Sequence, residues 1–212
     1  RKYNEKYIYM DSKFNEQVMT LDGVVEKIFK NLKFPMFIKP SNSGSSVGIN
    51  KAKSKEELKQ AIEYASKFDN KILIEEGIIG REVECAVLGN EEITASCVGE
   101  VKSAEEFYSY DAKYNNEESK TEIPANISEE LSVEIRNQAI KAFKAIDGKG
   151  LSRVDFFIEN GTNKIYINEI NTLPGFTSIS MYPKLFEASG VSYKELLNKL
   201  IELSKEKYVT VQ

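Results

Sequence analysis

The chain has 212 residues, 41% of them hydrophobic, and a formal net charge of −4, which suits one large or two small domains with apolar cores. It has no long basic patch and no apolar run of membrane-spanning length, which argues against nucleic-acid and membrane partners. Histidine is absent, which excludes Ser-His-Asp triads and His-based zinc sites within the chain, and Cys85 and Cys97 fit reduced thiols in a cytoplasm.

The first part of the chain alternates between helical and extended patterns. Apolar residues at helical spacing predict a helix over 21–32, with Thr20 or Asp22 as its N-cap. A capping box at Ser54 predicts the start of the next helix. Short buried strands are expected over residues 34–39 and 71–75, with a further strand over 47–51.

Lys39 ends one of these strands and leads into the Gly/Ser-rich loop 40–48. Backbone amides and hydroxyls in such a loop can donate hydrogen bonds to phosphate oxygens, with Lys39 as a cation beside them. The loop is not a Walker A motif, because the Lys precedes the glycines instead of following them. By composition alone, a simple turn is the more common interpretation of such a stretch.

Strands predicted at 79–88 and 93–101 precede a long polar segment. On the first of them, Glu82 and Glu84 fit a solvated strand face, and we keep that interpretation for Glu84. Residues 103–121 are charged and contain several tyrosines. A loop of this length inside a compact domain is usually functional or disordered, and its aromatic residues argue against simple disorder.

A β-hairpin is predicted where two alternating runs, 154–159 and 164–170, flank a turn at 160–163. A helix over 128–146 is expected before the hairpin. After it, we expect a short helix over 180–188, a last helix from Ser192 to about Ser204 and a loose tail over 205–212.

The hairpin carries the side chains best suited to chemistry. Glu169 and Asn171 are two residues apart and share one strand face, and an antiparallel register can add Asp155 to them. Two carboxylates and an amide oxygen suit Mg²⁺ that is held together with phosphates. Arg153 on the same face suits an anionic transition state. The pattern alone also fits an ordinary hairpin with a solvated face.

The runs RVDFFIE (153–159) and NEINTLPGFTS (168–178) resemble the C-terminal signature of the D-alanine–D-alanine ligases, members of the ATP-grasp superfamily. Two further runs extend the resemblance over most of the chain. KPSNSGSSVG (39–48) resembles the phosphate loop of these ligases, and FYSYDAKY (107–114) resembles their ω-loop. One departure is Ser109, where the family often has Asp.

The resemblance assigns roles around the hairpin. It implies that Asp155, Glu169 and Asn171 bind two Mg²⁺ ions, with Mn²⁺ as an alternative metal. It also implies that Arg153 contacts the reacting phosphate and that Arg153 and the Gly175 amide stabilise a tetrahedral oxyanion.

Further roles follow from the same resemblance. The implied phosphate-binding residues are Lys39, Ser45, Ser46 and Lys113, and the implied adenine and ribose contacts are Glu75, Glu76, Ile78 and Glu82. Ser45 is also implied at the active centre, and Tyr114 is implied as a catalytic residue that borders the substrate pocket. Ser180 and Met181 would face the second substrate, although the neighbouring Ile179 departs from the His found in some members.

The implied fold is the α+β ATP-grasp fold, in which two α+β subdomains sandwich the nucleotide. We expect a central subdomain at residues 1–80, with the phosphate loop 40–48. We expect the C-terminal subdomain at 81–212, with the ω-loop 103–121 and the metal site. The family's ligases also have a preceding substrate domain, which no part of this sequence resembles. We therefore expect a fragment that binds ATP without ligating on its own.

The implied function is an ATP-dependent ligase that joins D-alanine to a second D-amino acid through a D-alanyl phosphate. D-alanine is the first choice for that second amino acid. Its product would serve peptidoglycan precursor synthesis in the cytoplasm. ATP and D-amino acids would be its partners, with a homodimer in the full-length protein. Tyr114 points to an amine nucleophile, which leaves a D-alanine–D-serine ligase open and places an ester-forming ligase last. A nucleotide-binding module without ligase turnover is the alternative from another class.

Overall fold

The computed structural model describes residues 2–3, 6–10, 15–42, 47–102 and 120–209, in two compact units divided between Ile78 and Ile79. Each unit has its own sheets and helices and its own cluster of buried apolar side chains. No helix in these ranges combines the length and the apolarity that a membrane crossing requires.

The first unit is built from two small antiparallel sheets and two helices. Its elements are β1 (Lys2–Tyr3), β2 (Lys6–Met10), β3 (Glu16–Met19), α1 (Leu21–Asn31), β4 (Met36–Pro40), β5 (Asn50–Ala52), α2 (Lys55–Ala65) and β6 (Ile72–Glu76). One sheet has the strand order β1-β2-β3 and the other the order β5-β4-β6. Strand β4 is therefore the central strand of the second sheet.

Strand alternation places Lys39 on the face of β4 that points away from the core. Met36 and Ile38 are fully buried, whereas Phe37 and Lys39 are half-buried. The buried residues of β4 pack with apolar faces of the two helices, which contribute Val24, Val25, Ile28, Leu58, Ala61, Ile62 and Ala65. Alternation along this short strand thus places Lys39 next to the buried core of the first unit.

Both helices of the first unit begin at predicted capping residues. Thr20 Oγ1 accepts a hydrogen bond of 3.2 Å from a first-turn backbone N–H, which makes Thr20 and not Asp22 the cap of α1. Ser54 Oγ accepts from the Glu57 N–H at 3.2 Å. The Glu57 carboxylate accepts at 2.7 Å from the N–H of Lys53, one residue before the partner that a capping box predicts.

The second unit is built on one five-stranded antiparallel sheet. Its elements are β7 (Gly80–Gly89), β8 (Thr94–Lys102), β9 (Lys120–Glu122), α3 (Glu129–Ala145), β10 (Gly150–Glu159), β11 (Ile165–Asn171), α4 (Met181–Ala188) and α5 (Tyr193–Val209). The strand order is β11-β10-β7-β8-β9, so the predicted hairpin β10–β11 lies at one edge of the sheet.

The two faces of this sheet have different coverings. Helix α3 packs on one face, where buried residues of α3, β7, β8 and β10 form a single apolar cluster: Val83, Cys85, Val87, Val98, Ile135, Ala139, Phe143, Val154, Phe156 and Ile158. On the other face a Cβ at Gly99 would meet Leu185 and Met181 of α4 at 2.8 Å, so this glycine permits close packing of the helix. Alternation sends Glu84, Arg153 and Asp155 to the α4 face.

Several local expectations differ from the structure. The strand expected over 47–51 begins only at Asn50, β3 was not expected, and β9 begins at Lys120, where the loop 103–121 was expected to continue. The last helix continues to Val209, so the expectation of a loose tail was wrong for residues 205–209. Its start agrees with the prediction, because Ser192 and Glu195 form a reciprocal capping box of 2.9 and 3.3 Å.

Candidate active site

The hairpin register brings the predicted polar side chains together. Asp155 on β10 lies directly opposite Glu169 on β11, and Arg153 lies opposite Asn171. After Asp155 the pairing shifts, because Phe156 pairs with Ile167 and Asn168 is left over as a bulge. Bulges of this kind redirect the side chains of a strand, and here the bulge falls beside the two facing carboxylates.

Arg153 and Asp155 form the tightest contact of the site. Arg153 Nε donates to Asp155 Oδ1 and Nη2 donates to Oδ2, both at 2.7 Å. Asp155 is only 3% exposed. The Asn171 amide nitrogen donates to Asp155 Oδ2 at 3.0 Å and to Glu169 Oε1 at 3.4 Å. The predicted metal ligands and the predicted phosphate contact therefore form one hydrogen-bonded cluster.

Glu84 joins this cluster, which corrects the expectation that it faces solvent. It lies on β7 directly opposite Asp155 and is 6% exposed, and its Oε2 lies 3.1 Å from Arg153 Nε. A signal for this was present in the sequence, since Glu84 interrupts the apolar run 83–88. A charged residue in a strand buried on both faces must be paired.

The electrostatics of the cluster favour an additional cation. Burial alone would lower the pKa of the Arg153 guanidinium, but hydrogen bonds to Asp155 and the charges of Asp155, Glu84 and Glu169 raise that pKa above its ordinary value. Three carboxylates surround one guanidinium, which gives the cluster an excess of negative charge. A divalent cation matches that excess.

The donor set fits Mg²⁺ only together with oxygens from outside the protein. Within the described ranges, no three His, Cys, Asp or Glu side chains are placed to hold a metal by themselves. Asp155 and Glu169 would need the Asn171 amide and further oxygens, such as those of phosphate groups. The amide now presents its nitrogen to the carboxylates, and a half-turn of the group would present its oxygen.

In the first unit, Lys39 is paired with the predicted adenine-linker residue. Lys39 Nζ lies 2.6 Å from Glu75 Oε2, and the lysine side chain is 19% exposed. Two hydrogen bonds join this linker, residues 75–78, to the segment before β4. Gly77 N–H donates to Pro35 O at 2.7 Å, and Glu76 Oε2 accepts from the Lys33 N–H at 3.2 Å. The Glu76 side chain therefore points toward Lys33.

Gly175 lies two residues before a tight turn, 177–180, that Ser180 closes. Ser180 Oγ accepts from the Thr177 N–H at 3.0 Å, and the Ser180 N–H donates to Thr177 O at 3.0 Å. A Cβ at Gly175 would meet Ser180 Oγ at 2.8 Å, so only glycine fits without moving the serine. Met181 is 7% exposed beneath this turn, so packing already accounts for that side chain.

A sequence model of the family described as "D-ala D-ala ligase C-terminus" matches residues 5–202. The chain belongs to the D-ala D-ala ligase C-terminus family. The D-alanine--D-alanine ligase of Acetivibrio thermocellus is 57% identical over 202 residues, which are 95% of this chain and 53% of that protein. That of Ruminiclostridium cellulolyticum is 57% identical over 89% of this chain and 50% of that protein.

Solved structures of related ligases share the fold. The D-alanine-D-alanine ligase from Coxiella burnetii has a TM-score of 0.79 and 34% identity, over 97% of this chain and 52% of that chain. The VanG D-Ala:D-Ser ligase from Enterococcus faecalis has a TM-score of 0.77 and 42% identity, over 86% and 53%. The α+β ATP-grasp fold is thereby confirmed. The chain spans about half the length of the curated relatives it matches.

The remaining residues to which the family resemblance assigns roles fall into two groups. Ile78 ends the first unit and Glu82 lies on β7, and both side chains are half-buried. The other predicted residues lie outside the described residues: Ser45, Ser46, Lys113 and Tyr114. Much of the phosphate loop 40–48 and nearly all of the ω-loop 103–121 also lie outside the described residues.

Proposed function

We propose that this chain serves an ATP-dependent ligase that joins D-alanine to a second D-amino acid, with D-alanine as the first choice. The reaction would pass through a D-alanyl phosphate and supply peptidoglycan precursors. Membership of the D-ala D-ala ligase C-terminus family supports this proposal. The observation that carries it is the facing pair of Asp155 and Glu169, with Arg153 bonded to the first of them.

We assign metal binding to Asp155, Glu169 and Asn171, with two Mg²⁺ ions and Mn²⁺ as an alternative. Bound Mg²⁺ would offset the negative charge of the β- and γ-phosphates. Arg153 is well suited to the transferred phosphoryl group, since its guanidinium is charged at every physiological pH and is fixed by Asp155 at 2.7 Å. A fixed cation needs no reorganisation when charge develops in the transition state.

We assign ATP binding to the residues that the family resemblance implies for it. Lys39 would contact phosphate, Glu75 and Glu76 would lie along the adenine linker, and Ile78 would cover the ring. Glu82 would bind the ribose hydroxyls. The ion pair of Lys39 with Glu75 supports the first assignment, because it holds the ammonium group beside the linker.

The other nucleotide and substrate assignments keep the roles that the family resemblance implies. Ser45, Ser46 and Lys113 would bind phosphate, and Ser45 would also lie at the active centre. Tyr114 would border the substrate pocket and act in catalysis.

The segment 175–180, which ends in the turn 177–180, is our candidate for substrate binding. The Gly175 N–H and Arg153 would stabilise the tetrahedral oxyanion, which needs donors fixed before the charge forms. Ser180 would face the carboxylate of the second substrate, held by its bond to Thr177 at 3.0 Å. Met181 would lie against the side chain of the second substrate and limit its size.

A D-alanine–D-serine ligase is the second candidate. It is kept as a candidate because the VanG D-Ala:D-Ser ligase is 42% identical, although the curated D-alanine--D-alanine ligases reach 57%. We place the protein in the cytoplasm, where ATP is available and where the free thiols of Cys85 and Cys97 would stay reduced. Residues 1–80 and 81–212 as the two subdomains, and a homodimer of the full-length protein, also remain proposals.

Two measurements on the same preparation test the function. Titration calorimetry with ATP and Mg²⁺ reports nucleotide binding, and phosphate release with D-alanine, with D-serine as a competing substrate, reports turnover. Binding with D-alanine-dependent phosphate release and a D-alanyl dipeptide in the mass spectrum supports the ligase. Binding without turnover in a preparation that contains every domain of the protein would leave a nucleotide-binding module. A mixed D-alanyl-D-serine product would favour the second candidate.

A further inference from the structure

Glu84 is a buried carboxylate for which the proposed function has no role. It lies at the centre of the sheet of the second unit, with Asp155 opposite it on β10 and Gly99 opposite it on β8. Its side chain is 8% exposed, and its Oε2 lies 3.1 Å from Arg153 Nε. Burying a carboxylate close to Asp155, another buried carboxylate, is costly unless a cation is shared between them.

Arg153 is shared unequally between these two carboxylates. Asp155 accepts two hydrogen bonds of 2.7 Å from the guanidinium, whereas Glu84 lies 3.1 Å from the Nε that already donates to Asp155. The Asn171 amide nitrogen occupies Asp155 Oδ2 as well, at 3.0 Å. Asp155 is therefore the main support of Arg153 and already accepts hydrogen bonds at both oxygens.

A cation on Asp155 must weaken this support. The carboxylate would share its charge with the cation, and the cation would repel the nearby guanidinium. The metal site proposed at Asp155 and Glu169 does not include Glu84, since Glu84, Asp155 and Glu169 form no three-carboxylate metal group among the described residues. Glu84 already lies 3.1 Å from Arg153 Nε, so its charge still acts on the guanidinium when Asp155 is engaged.

We propose that Glu84 is a positioning residue that keeps the Arg153 guanidinium in place when Asp155 binds metal. The inference rests on the proposed function, since it assumes that Asp155 takes up a metal with the nucleotide. In the absence of metal, Asp155 holds the Arg153 guanidinium. When metal is bound to Asp155, Glu84 would hold it instead. In this role Glu84 acts through Arg153.

The test follows the Nε–H group of Arg153 by nuclear magnetic resonance of the ¹⁵N-labelled chain. The arginines are Arg1, Arg81, Arg136 and Arg153, so few signals need to be separated, and Arg153→Lys identifies the relevant one. Hydrogen exchange of this group is measured without ligand and with Mg²⁺ and a non-hydrolysable ATP analogue. Calorimetry on the same samples records whether the nucleotide binds.

We expect Arg153 in the unmodified chain to stay protected from exchange in both states. In Glu84→Gln the loss of a charge-assisted contact should speed exchange by about tenfold or more with nucleotide, and by clearly less without it. The matched control is Glu100→Gln. Glu100 is another buried glutamate that forms an ion pair with an arginine, since its Oε2 lies 2.6 Å from Arg81 Nη2. This substitution should change the Arg81 signal and leave Arg153 unchanged.

Several results would overturn the proposal. Equal protection in Glu84→Gln and the unmodified chain with nucleotide would show that Glu84 is dispensable. Equal loss in both states would show a role in folding alone. If Glu84→Gln does not fold, the unmodified chain still decides, because loss of Arg153 protection on loading contradicts the proposal. Absence of nucleotide binding in the unmodified chain would instead overturn the proposed function, and this inference with it.

Discussion

Arg153 neutralises Asp155 within a single strand, through two hydrogen bonds of 2.7 Å between side chains that are two residues apart. A metal that binds Asp155 must therefore compete with a cation that is already in place. Nucleotide phosphates can relieve this competition, because they attract both the metal and the arginine. If the proposed metal assignment is right, we expect the site to bind metal and nucleotide together more strongly than metal alone.

Substitutions of the proposed metal ligands should raise the Mg²⁺ concentration that ATP binding requires. Asp155→Asn, Glu169→Gln and Asn171→Ala each remove one oxygen ligand or its charge, and we expect at least a tenfold rise for the two carboxylates, on the order of one lost charge-assisted contact. Calorimetric titration with ATP across a Mg²⁺ series measures this. Glu130→Gln, at the exposed start of α3, is the control. Unchanged Mg²⁺ dependence in the carboxylate variants would refute the assignment.

Lys39→Ala should weaken ATP binding while leaving the fold intact. The lysine is held beside Glu75 at 2.6 Å, and a lost contact between an ammonium group and phosphate costs about 1.5–3 kcal/mol. Calorimetry gives the affinity and a thermal melt gives the stability. Lys59→Ala is a matched control, since it removes a lysine from another ion pair of the same unit, with Asp22 at 2.8 Å. Equal ATP affinity in both variants would exclude Lys39 from the nucleotide site.

In the full-length protein, Gly175→Ala should reduce ligation more than ATP binding. The added Cβ would meet Ser180 Oγ at 2.8 Å, which displaces the hydroxyl from its bond to the Thr177 N–H. We expect about a tenfold or larger drop in D-alanine-dependent phosphate release, in line with the loss of an oxyanion donor. Gly23→Ala is the control, because its Cβ would have ordinary contacts beginning at 3.4 Å. Full turnover in Gly175→Ala would remove this turn from the site.

The Arg81–Glu100 pair should stabilise the second unit at neutral pH and lose that contribution in acid. The hydrogen bond from Arg81 lowers the pKa of Glu100 below its ordinary value of 4.5. The lowered pKa means that the stabilisation is present above the ordinary value and disappears as the pH falls through the folded-state value. Because the arginine side chain is 35% exposed, we expect Glu100→Gln to cost only about 1–2 kcal/mol at pH 7.

Denaturant titrations of the unmodified chain and of Glu100→Gln at several pH values measure this contribution. The difference in unfolding free energy should be largest near pH 7 and should shrink below the ordinary pKa of the carboxyl group. A difference that stays constant from neutral to acid pH would show that the charge of Glu100 does not stabilise the fold.

Local chemistry made much of the fold predictable. Thr20, Ser54, Ser128 and Ser192 cap the helices that their sequence neighbourhoods indicate, because a cap depends on residues within one turn. The hairpin was predictable from its turn and its alternation. Its register also places Asp155 opposite Glu169, as the spacing of the polar residues suggested.

Contacts between distant parts of the chain were less predictable. Glu84 reaches Arg153 across a strand pair whose register no local pattern specifies. Strand β3 was missed because it has a polar, largely exposed sequence without strand-like alternation. Lys39 and Glu75 form an ion pair between two neighbouring strands of a sheet. Alternation along each strand predicts the sheet face on which a residue lies, but it does not predict which residue of the other strand lies beside it.

The central claim is that the hairpin binds the metal that accompanies ATP, and crystals grown with Mn²⁺ and a non-hydrolysable ATP analogue test it most directly. Anomalous scattering locates Mn²⁺ without assumptions about its ligands. We predict manganese bound by Asp155, Glu169 and Asn171 together with phosphate oxygens of the analogue. Manganese bound by other side chains, or a nucleotide bound with no metal at the hairpin, would contradict the account.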